Sequence, residues 1–565
     1  MISDKFNNKF QERHLHPSIY QKYNITRDLI KKGVDPKEYQ DRGGINLKTF
    51  ESLRQRRQDQ ELLLQNRREK FNSQYGSISA TPISVGPCKK INPVIGAKNA
   101  LVLLTEFKDL KHSIEPQYFE EFLFSKGSNK SMRDYYLEAS WKQLDLTGKV
   151  INPWYAAHGI RADYVDEVPV NKNYPRAQRL VKETILQAKS NGIDFTPFSK
   201  NGKIDLLIIV FAGMGLDRKL NIKYIRPHQG SLSEPIEVQN GIWADKYCLV
   251  SELPKDDLGC FCHEVGHLLG LPDMYKEGYS PIVGEWCLMG IGDHIDEGKT
   301  PAHPSAWCKV HLGWREPKIL DNPPETYDIP AIVDDDGSIY KIEVKGTDGK
   351  EYFLLENRQH KGFDLKLPGS GLVIWHINED QCVHMAPNSD PEHFFLTLVQ
   401  SDGKSELQRD MNVLAKDFTG DDVMKELSGD EGDAYPGETH NRSFDDNSVP
   451  NSDSYDGNKS LVSITSISDS QDKMQAQMGL QHQSGIAASP ESTAPHPPKP
   501  SVKMLQAFMA MMAGNRDENP FDEGYEDGTK DAIENLKEKY GLNSYGEGYR
   551  KGYIQSSKTS SEKPE

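Results

Sequence analysis

His263, Glu264 and His267 stand in the order His-Glu-x-x-His. Residues four apart on a helix share one face, so both imidazoles can reach a single metal ion. Glu264 follows the first histidine directly, where its carboxylate can lean toward a water on the open side of that metal and act as general base. The chain then runs through Gly270 and Pro272 to Asp273. Glycine permits a tight turn out of the helix and proline prevents its resumption, so the chain doubles back and Asp273 becomes a candidate third ligand. Two histidines and a carboxylate around an open position suit catalytic zinc and hydrolysis by an activated water.

The same four-residue spacing also occurs on ordinary amphipathic helices, so the flanking residues decide its weight. Leu258, Phe261, Val265, Leu268 and Leu269 give a buried-helix pattern, in which two histidines and a glutamate would be costly without a partner. Gly266 costs about 1 kcal/mol of helix propensity relative to alanine, which a purely structural helix has no reason to accept. Downstream, Met289 lies in the segment Trp286-Cys287-Leu288-Met289-Gly290. Glu285 is the rival third ligand, eighteen residues after His267 and near the spacing at which thermolysin-like enzymes place a glutamate on a following helix. Gly270 favours Asp273, and Gly284 with the segment around Met289 argues against a helix at Glu285. Tyr275, Tyr279 and His294 are within sequence reach as oxyanion helpers, with none assigned. Cys260 and Cys262 flank one residue and would diverge on a helix, which reads as buried thiols and not as a structural zinc pair.

The extended spacing His-Glu-x-x-His-x-x-Gly-x-x-Asp is similar to that of metzincins, with the third histidine exchanged for aspartate. Met289 lies where those enzymes place an apolar Met-turn beneath the metal. The resemblance extends to the immune inhibitor A family of secreted bacterial metallopeptidases. Residues 100–107 (ALVLLTEF) look like that family's first strand, 134–140 (DYYLEAS) its early helix, and 204–213 the strand before the active site. Residues 304–314 (PSAWCKVHLGW), 351–359 (EYFLLENRQ) and 371–377 (GLVIWHI) are similar to its later segments. Residues 95–480 carry the likeness. It implies a zinc endopeptidase acting on protein or peptide substrates, secretion, an N-terminal propeptide and structural calcium. Exopeptidase action, and a non-catalytic binding protein on a peptidase scaffold, are the alternatives; the intact Glu264 argues against the second.

The elements that must position these residues read as an α+β multidomain chain. Residues 1–90 form a polar N-terminal segment with a charged helix over 49–71, whose Arg54, Arg56, Arg57, Arg67 and Arg68 read as a solvated face. Residues 91–315 alternate apolar runs with helical patterns, a metzincin-like catalytic domain with the metal helix behind its sheet. Short alternating segments over 316–480, at 340–344, 352–356, 372–377 and 461–467, read as a β-sandwich-like domain. A Pro-rich linker, 481–500, leads to a small helical tail, 501–565, with a duplicated Gly-Tyr motif and a methionine-rich stretch suited to a protein partner.

At 565 residues the chain is long enough for several cores. Its net charge of -16 argues against nucleic acid, which needs a basic surface. No apolar signal-peptide core is visible at the N-terminus, and no run is long enough to span a bilayer. Seven dispersed cysteines do not make a disulfide framework, which leans toward free thiols and against the secretion that the resemblance implies. Cys88 raises the prospect of a latency thiol, since a thiolate from a pro-segment could take the metal's open position. A free cysteine in a polar linker is the plainer reading. Asp334, Asp335, Asp336 and Gly337, and the stretch with Asp421, Asp422, Asp430, Glu431 and Asp433, offer hard oxygen ligands for calcium or simply solvated acidic loops.

Overall fold

A computed structural model describes residues 91–481, apart from 129, 167–173, 216–223, 276–280, 383–387, 389–392 and 410–426. The N-terminal segment with Cys88, Tyr279, Asp421, Asp422, most of the Pro-rich linker and the C-terminal tail therefore lie outside the described residues.

Two apolar runs, 100–104 and 206–212, are too continuous for half-exposed strands and must be covered on both faces. They form the centre of a seven-stranded sheet made of β1 (Gly96–Glu106), β2 (Leu144–Ala156), β3 (Ser199–Lys200), β4 (Lys203–Ile204), β5 (Leu206–Met214), β6 (His228–Gln239) and β7 (Ile242–Leu253). The order is β2-β1-β5-β7-β4-β3, with β6 paired to β7. β1, β2, β5 and β7 run parallel, and β6 closes against β7 antiparallel. Among the described residues five helices accompany the sheet: α1 (Pro116–Phe124), α2 (Met132–Ala139), α3 (Pro175–Ser190), α4 (Leu258–Leu269) and α5 (Ala306–His311). α1 and α2 pack on β2, α3 on β6 and α4 on β7. Every residue of α4 from Leu258 to Gly266 is buried, so its histidines and glutamate sit in the interior where the apolar pattern put them.

A second group of strands follows. β8 (Lys318–Ile319), β9 (Glu325–Pro330), β10 (Tyr340–Glu343), β11 (Glu351–Arg358), β12 (Gly371–Asn378), β13 (Leu396–Val399), β14 (Phe444–Asp445), β15 (Val462–Thr465) and β16 (Lys473–Leu480) make two sheets. Their orders are β13-β12-β11-β10-β8 and β14-β15-β16-β9. On β16, Met474, Ala476 and Met478 are buried between exposed Lys473, Gln475 and Gln477, the period of two expected of a strand with one wet face. These residues share a core with Ile342, Phe353, Leu355 and Ile374 of the facing sheet. Tyr352, Leu354, Val373 and Trp375 point the other way, into the core of the first sheet. β11 is consequently buried along its whole length, charged residues included.

Among the described residues no helix is long and apolar enough to cross a membrane. Cys248, Cys260, Cys262, Cys287 and Cys308 are buried thiols outside any disulfide, whereas Cys382 is disulfide-bonded.

Candidate metal centre

α4 begins at Asp257, whose side chain accepts a hydrogen bond from the Cys260 N–H at 3.2 Å. It ends at Gly270, whose φ of 113° is open to glycine and to few other residues. The Leu271 N–H then returns to the Gly266 carbonyl at 3.1 Å. That reversal carries Asp273 back over the helix.

His263 and His267 present nearly perpendicular rings with centroids 4.7 Å apart. Asp273 Oδ1 lies 3.3 Å from His263 Nε2 and 3.1 Å from His267 Nε2. His263 Nδ1 lies 2.9 Å from the Leu288 carbonyl and His267 Nδ1 lies 2.7 Å from the Leu271 carbonyl. A carbonyl can only accept, so each Nδ1 carries the hydrogen and each Nε2 turns toward Asp273. Ligand atoms held tetrahedrally about zinc at 2.0–2.1 Å stand about 3.3 Å from one another, and the two nitrogens meet the carboxylate oxygen at that separation. His263, His267 and Asp273 thus form a group whose ligand atoms all lie within 4.8 Å of one another, and the donor set fits zinc.

The electrostatics point the same way. Burial alone would drive the His263 imidazole neutral, but Asp273, Asp293 and Glu264 together raise it to about 10. Three carboxylates here favour a positive charge, which a divalent cation supplies. Glu264 is buried beside the two histidines. Tyr275 lies nearly parallel to the His263 ring at 6.4 Å; burial raises its hydroxyl well above the usual range, and the neighbouring Asp273, to which it hydrogen-bonds, adds to this. Of the two oxyanion candidates among the described residues, Tyr275 and His294, it is the one found against this group. His294 instead pairs with Asp293 at 3.4 Å. Glu285 sits on a short 3-10 turn, Gly284–Trp286, outside the group of three. Burial raises its carboxyl, and a hydrogen bond from Ser428 opposes that.

Met289 passes under the helix. A β-carbon on Gly266 would meet its sulfur at 2.9 Å, so the glycine that costs helix propensity has a packing reason that a structural helix could share. The Met274 N–H donates to the Met289 carbonyl at 2.7 Å, tying the segment after Asp273 to this loop.

Sequence reasoning did not find what holds the loop. Arg358 donates to the Trp286 carbonyl at 3.1 Å and to Asp364 at 2.6 and 2.7 Å. Asp364 accepts the His303 N–H at 2.9 Å, and the Leu288 N–H donates to the His303 carbonyl at 3.3 Å. Lys309 meets Glu356 at 2.6 Å with both side chains fully buried. The available signal was the run Glu356-Asn357-Arg358 inside an otherwise apolar strand.

The calcium candidates divide. Asp334 pairs with Lys361 at 3.0 Å, and Asp335 is almost fully exposed. Asp433 accepts from Trp286 Nε1 at 2.8 Å and from Gln400 at 2.6 Å. Asp430 joins Asp402 and Glu406, two residues the sequence did not single out.

Residues 223–316 match a family model described as Immune inhibitor A peptidase M6, catalytic domain. The chain is 27% identical over 276 residues to Immune inhibitor A of Bacillus thuringiensis subsp. alesti, covering 39% of this chain and 40% of that protein. It is 27% identical over 241 residues to Pre-pro-metalloprotease PrtV of Vibrio cholerae serotype O1, covering 35% of this chain and 26% of that protein. The chain thus spans less than half the length of these curated relatives. The matched stretch contains α4, its turn to Asp273 and the Met289 loop, so the likeness to the immune inhibitor A peptidases covers the candidate metal centre.

Proposed function

We infer that this protein is a zinc metalloendopeptidase whose metal is held by His263, His267 and Asp273 and whose general base is Glu264. The observation that carries this reading is the approach of both Nε2 atoms to one Asp273 oxygen, with each Nδ1 fixed on a backbone carbonyl. Zinc, when bound, supplies Lewis-acid polarisation of the scissile carbonyl and lowers the pKa of a water toward about 7.

The chain's own residues do the rest. The Leu288 and Leu271 carbonyls hold the imidazoles in one tautomer and orientation, so the ligands need not reorganise. Glu264 takes the proton of the attacking water and passes it to the leaving amine nitrogen. Tyr275 positions Asp273 by donating its hydroxyl hydrogen to that carboxylate. His267 keeps some exposure, 15% of its side chain, and marks the side from which a peptide enters.

The test uses the purified full chain, its zinc content, and a peptide blocked at both ends. One zinc per chain and cleavage at an internal bond are expected. Glu264→Gln should keep the zinc and lose about 10²–10⁴ of the rate. Wild-type activity in that variant removes the base, and cleavage restricted to unblocked ends moves the enzyme to the exopeptidases.

A further inference from the structure

Asn388 reaches the turn after α4 from the β-rich part of the chain. It lies between β12 and β13, 114 residues after Met274, and it is fully buried. Its Nδ2 donates to the Met274 carbonyl at 2.9 Å and to the Leu396 carbonyl at 3.0 Å. Its Oδ1 accepts the Leu396 N–H at 3.0 Å. The amide has one permitted orientation, because a flip would set its oxygen against two carbonyls and its nitrogen against an N–H. Two of the three bonds tie it to Leu396, the first residue of β13, as a neighbouring peptide group would be tied. The third is left for Met274.

Met274 stands between Asp273 and Tyr275, and it is fully buried, so its peptide groups need partners. Its N–H, in the peptide shared with Asp273, donates to the Met289 carbonyl at 2.7 Å. Its carbonyl, in the peptide shared with Tyr275, accepts from Asn388. Each peptide is planar, so a hydrogen bond to one of its atoms restricts the direction of the whole unit. The loop under α4 therefore holds one plane and Asn388 holds the other. From these two planes Asp273 projects toward both imidazoles, and Tyr275 projects toward Asp273.

We propose that Asn388 is a positioning residue for the metal centre, acting through the Met274 carbonyl to fix the backbone from which Asp273 and Tyr275 meet the two histidines. This rests on the reading of Asp273 as a zinc ligand. The hydrogen bonds of Asn388 go to backbone and not to a ligand side chain, so its effect is on the direction of Asp273 alone. Outer partners that orient metal ligands carry about 10–100-fold in affinity or activity. Asn388 acts one peptide away from the ligand, which puts it at the low end of that range. The β-rich strands thereby take part in a site whose three ligands all lie within residues 263–273.

The experiment measures zinc affinity of the full chain by competition with a chelator of known affinity, with denaturant unfolding followed alongside. Asn388→Ala should weaken zinc about tenfold. Asn388→Leu, of similar size and without a hydrogen-bonding group, should do the same and serves where the alanine cavity prevents folding. Leu398→Ala, a core truncation on β13 itself, should lower stability and leave zinc affinity near wild type. In an Asp273→Ala background, removing the Asn388 amide should cost no further affinity, because the carboxylate it directs is gone. Wild-type zinc affinity in a folded Asn388 variant, an equal loss in Leu398→Ala, or a full further tenfold loss in the Asp273→Ala background would each overturn the proposal. Wild-type affinity in Asp273→Ala would instead remove the ligand reading, and the positioning role with it.

Discussion

A β-carbon added to Gly266 would stand 2.9 Å from the sulfur of Met289, so the helix that carries the histidines and the loop beneath it approach closely at a residue without a side chain. Gly266→Ala gains about 1 kcal/mol of helix propensity and meets an overpacking cost of about 1–3 kcal/mol. Met289 is fully buried, which limits the room its flexible side chain has to shift, and on that ground the overpacking term is expected to win. A net loss of about 1 kcal/mol is expected in denaturant unfolding. Met289→Ala in the same chain should relieve it, giving a coupling of about 1 kcal/mol in a double-mutant cycle. Strict additivity would mean the two residues do not meet.

The third ligand can be separated from its rival by metal content alone. Asp273 lies against both imidazoles, while Glu285 faces Ser428 on the neighbouring turn. Asp273→Ala should lower zinc affinity at least tenfold, and Glu285→Ala should leave it near wild type. The reverse pattern would assign the site to the glutamate.

What could be read in advance follows the range of the interactions. His263, His267, Gly270 and Asp273 lie within eleven residues of chain, and helix periodicity with a glycine turn is enough to bring them together. The carbonyls of Leu271 and Leu288 were invisible because backbone atoms carry no residue signature. Asp402, Glu406 and Asp430 meet through the course of two loops after β13, which no local pattern encodes. β11 shows a subtler miss. Residues 352–356 read as a strand of a sandwich, yet the strand extends from Glu351 to Arg358 and is buried on both faces, because its outer side completes the first sheet's core.

The buried pair behind the loop gives a stability prediction. Lys309 and Glu356 lie 2.6 Å apart, and Arg358 and Trp375 also bond Glu356, at 3.2 and 3.1 Å. Lys309→Met strips one partner from a buried carboxylate, which costs about 3–5 kcal/mol. Adding Glu356→Gln should recover part of that loss, since the charge is gone. An undiminished loss in the double variant would show that the cost came from packing.

Part of the acid sensitivity should trace to His228. Its ring is buried, lies tilted against Tyr174 with centroids 4.1 Å apart, and turns Nδ1 to the Arg226 carbonyl and Nε2 to the Tyr247 hydroxyl. Burial lowers it to about 4 from an ordinary 6.5, with the Arg226 charge adding to the fall and the Arg226 carbonyl opposing it. Below pH 6.5 the unfolded chain takes up a proton that the fold refuses until about pH 4, so stability decreases through that window and the loss levels off beneath it. A shift of that size amounts to about 3 kcal/mol. Above pH 6.5 the residue is neutral in both states and contributes no slope. In denaturant unfolding measured from pH 8 to 4, His228→Gln should be less stable at pH 7 through lost packing, yet lose about one proton's worth less stability than the wild type between 6.5 and 4. Parallel curves for the two proteins across that window would place the acid sensitivity elsewhere.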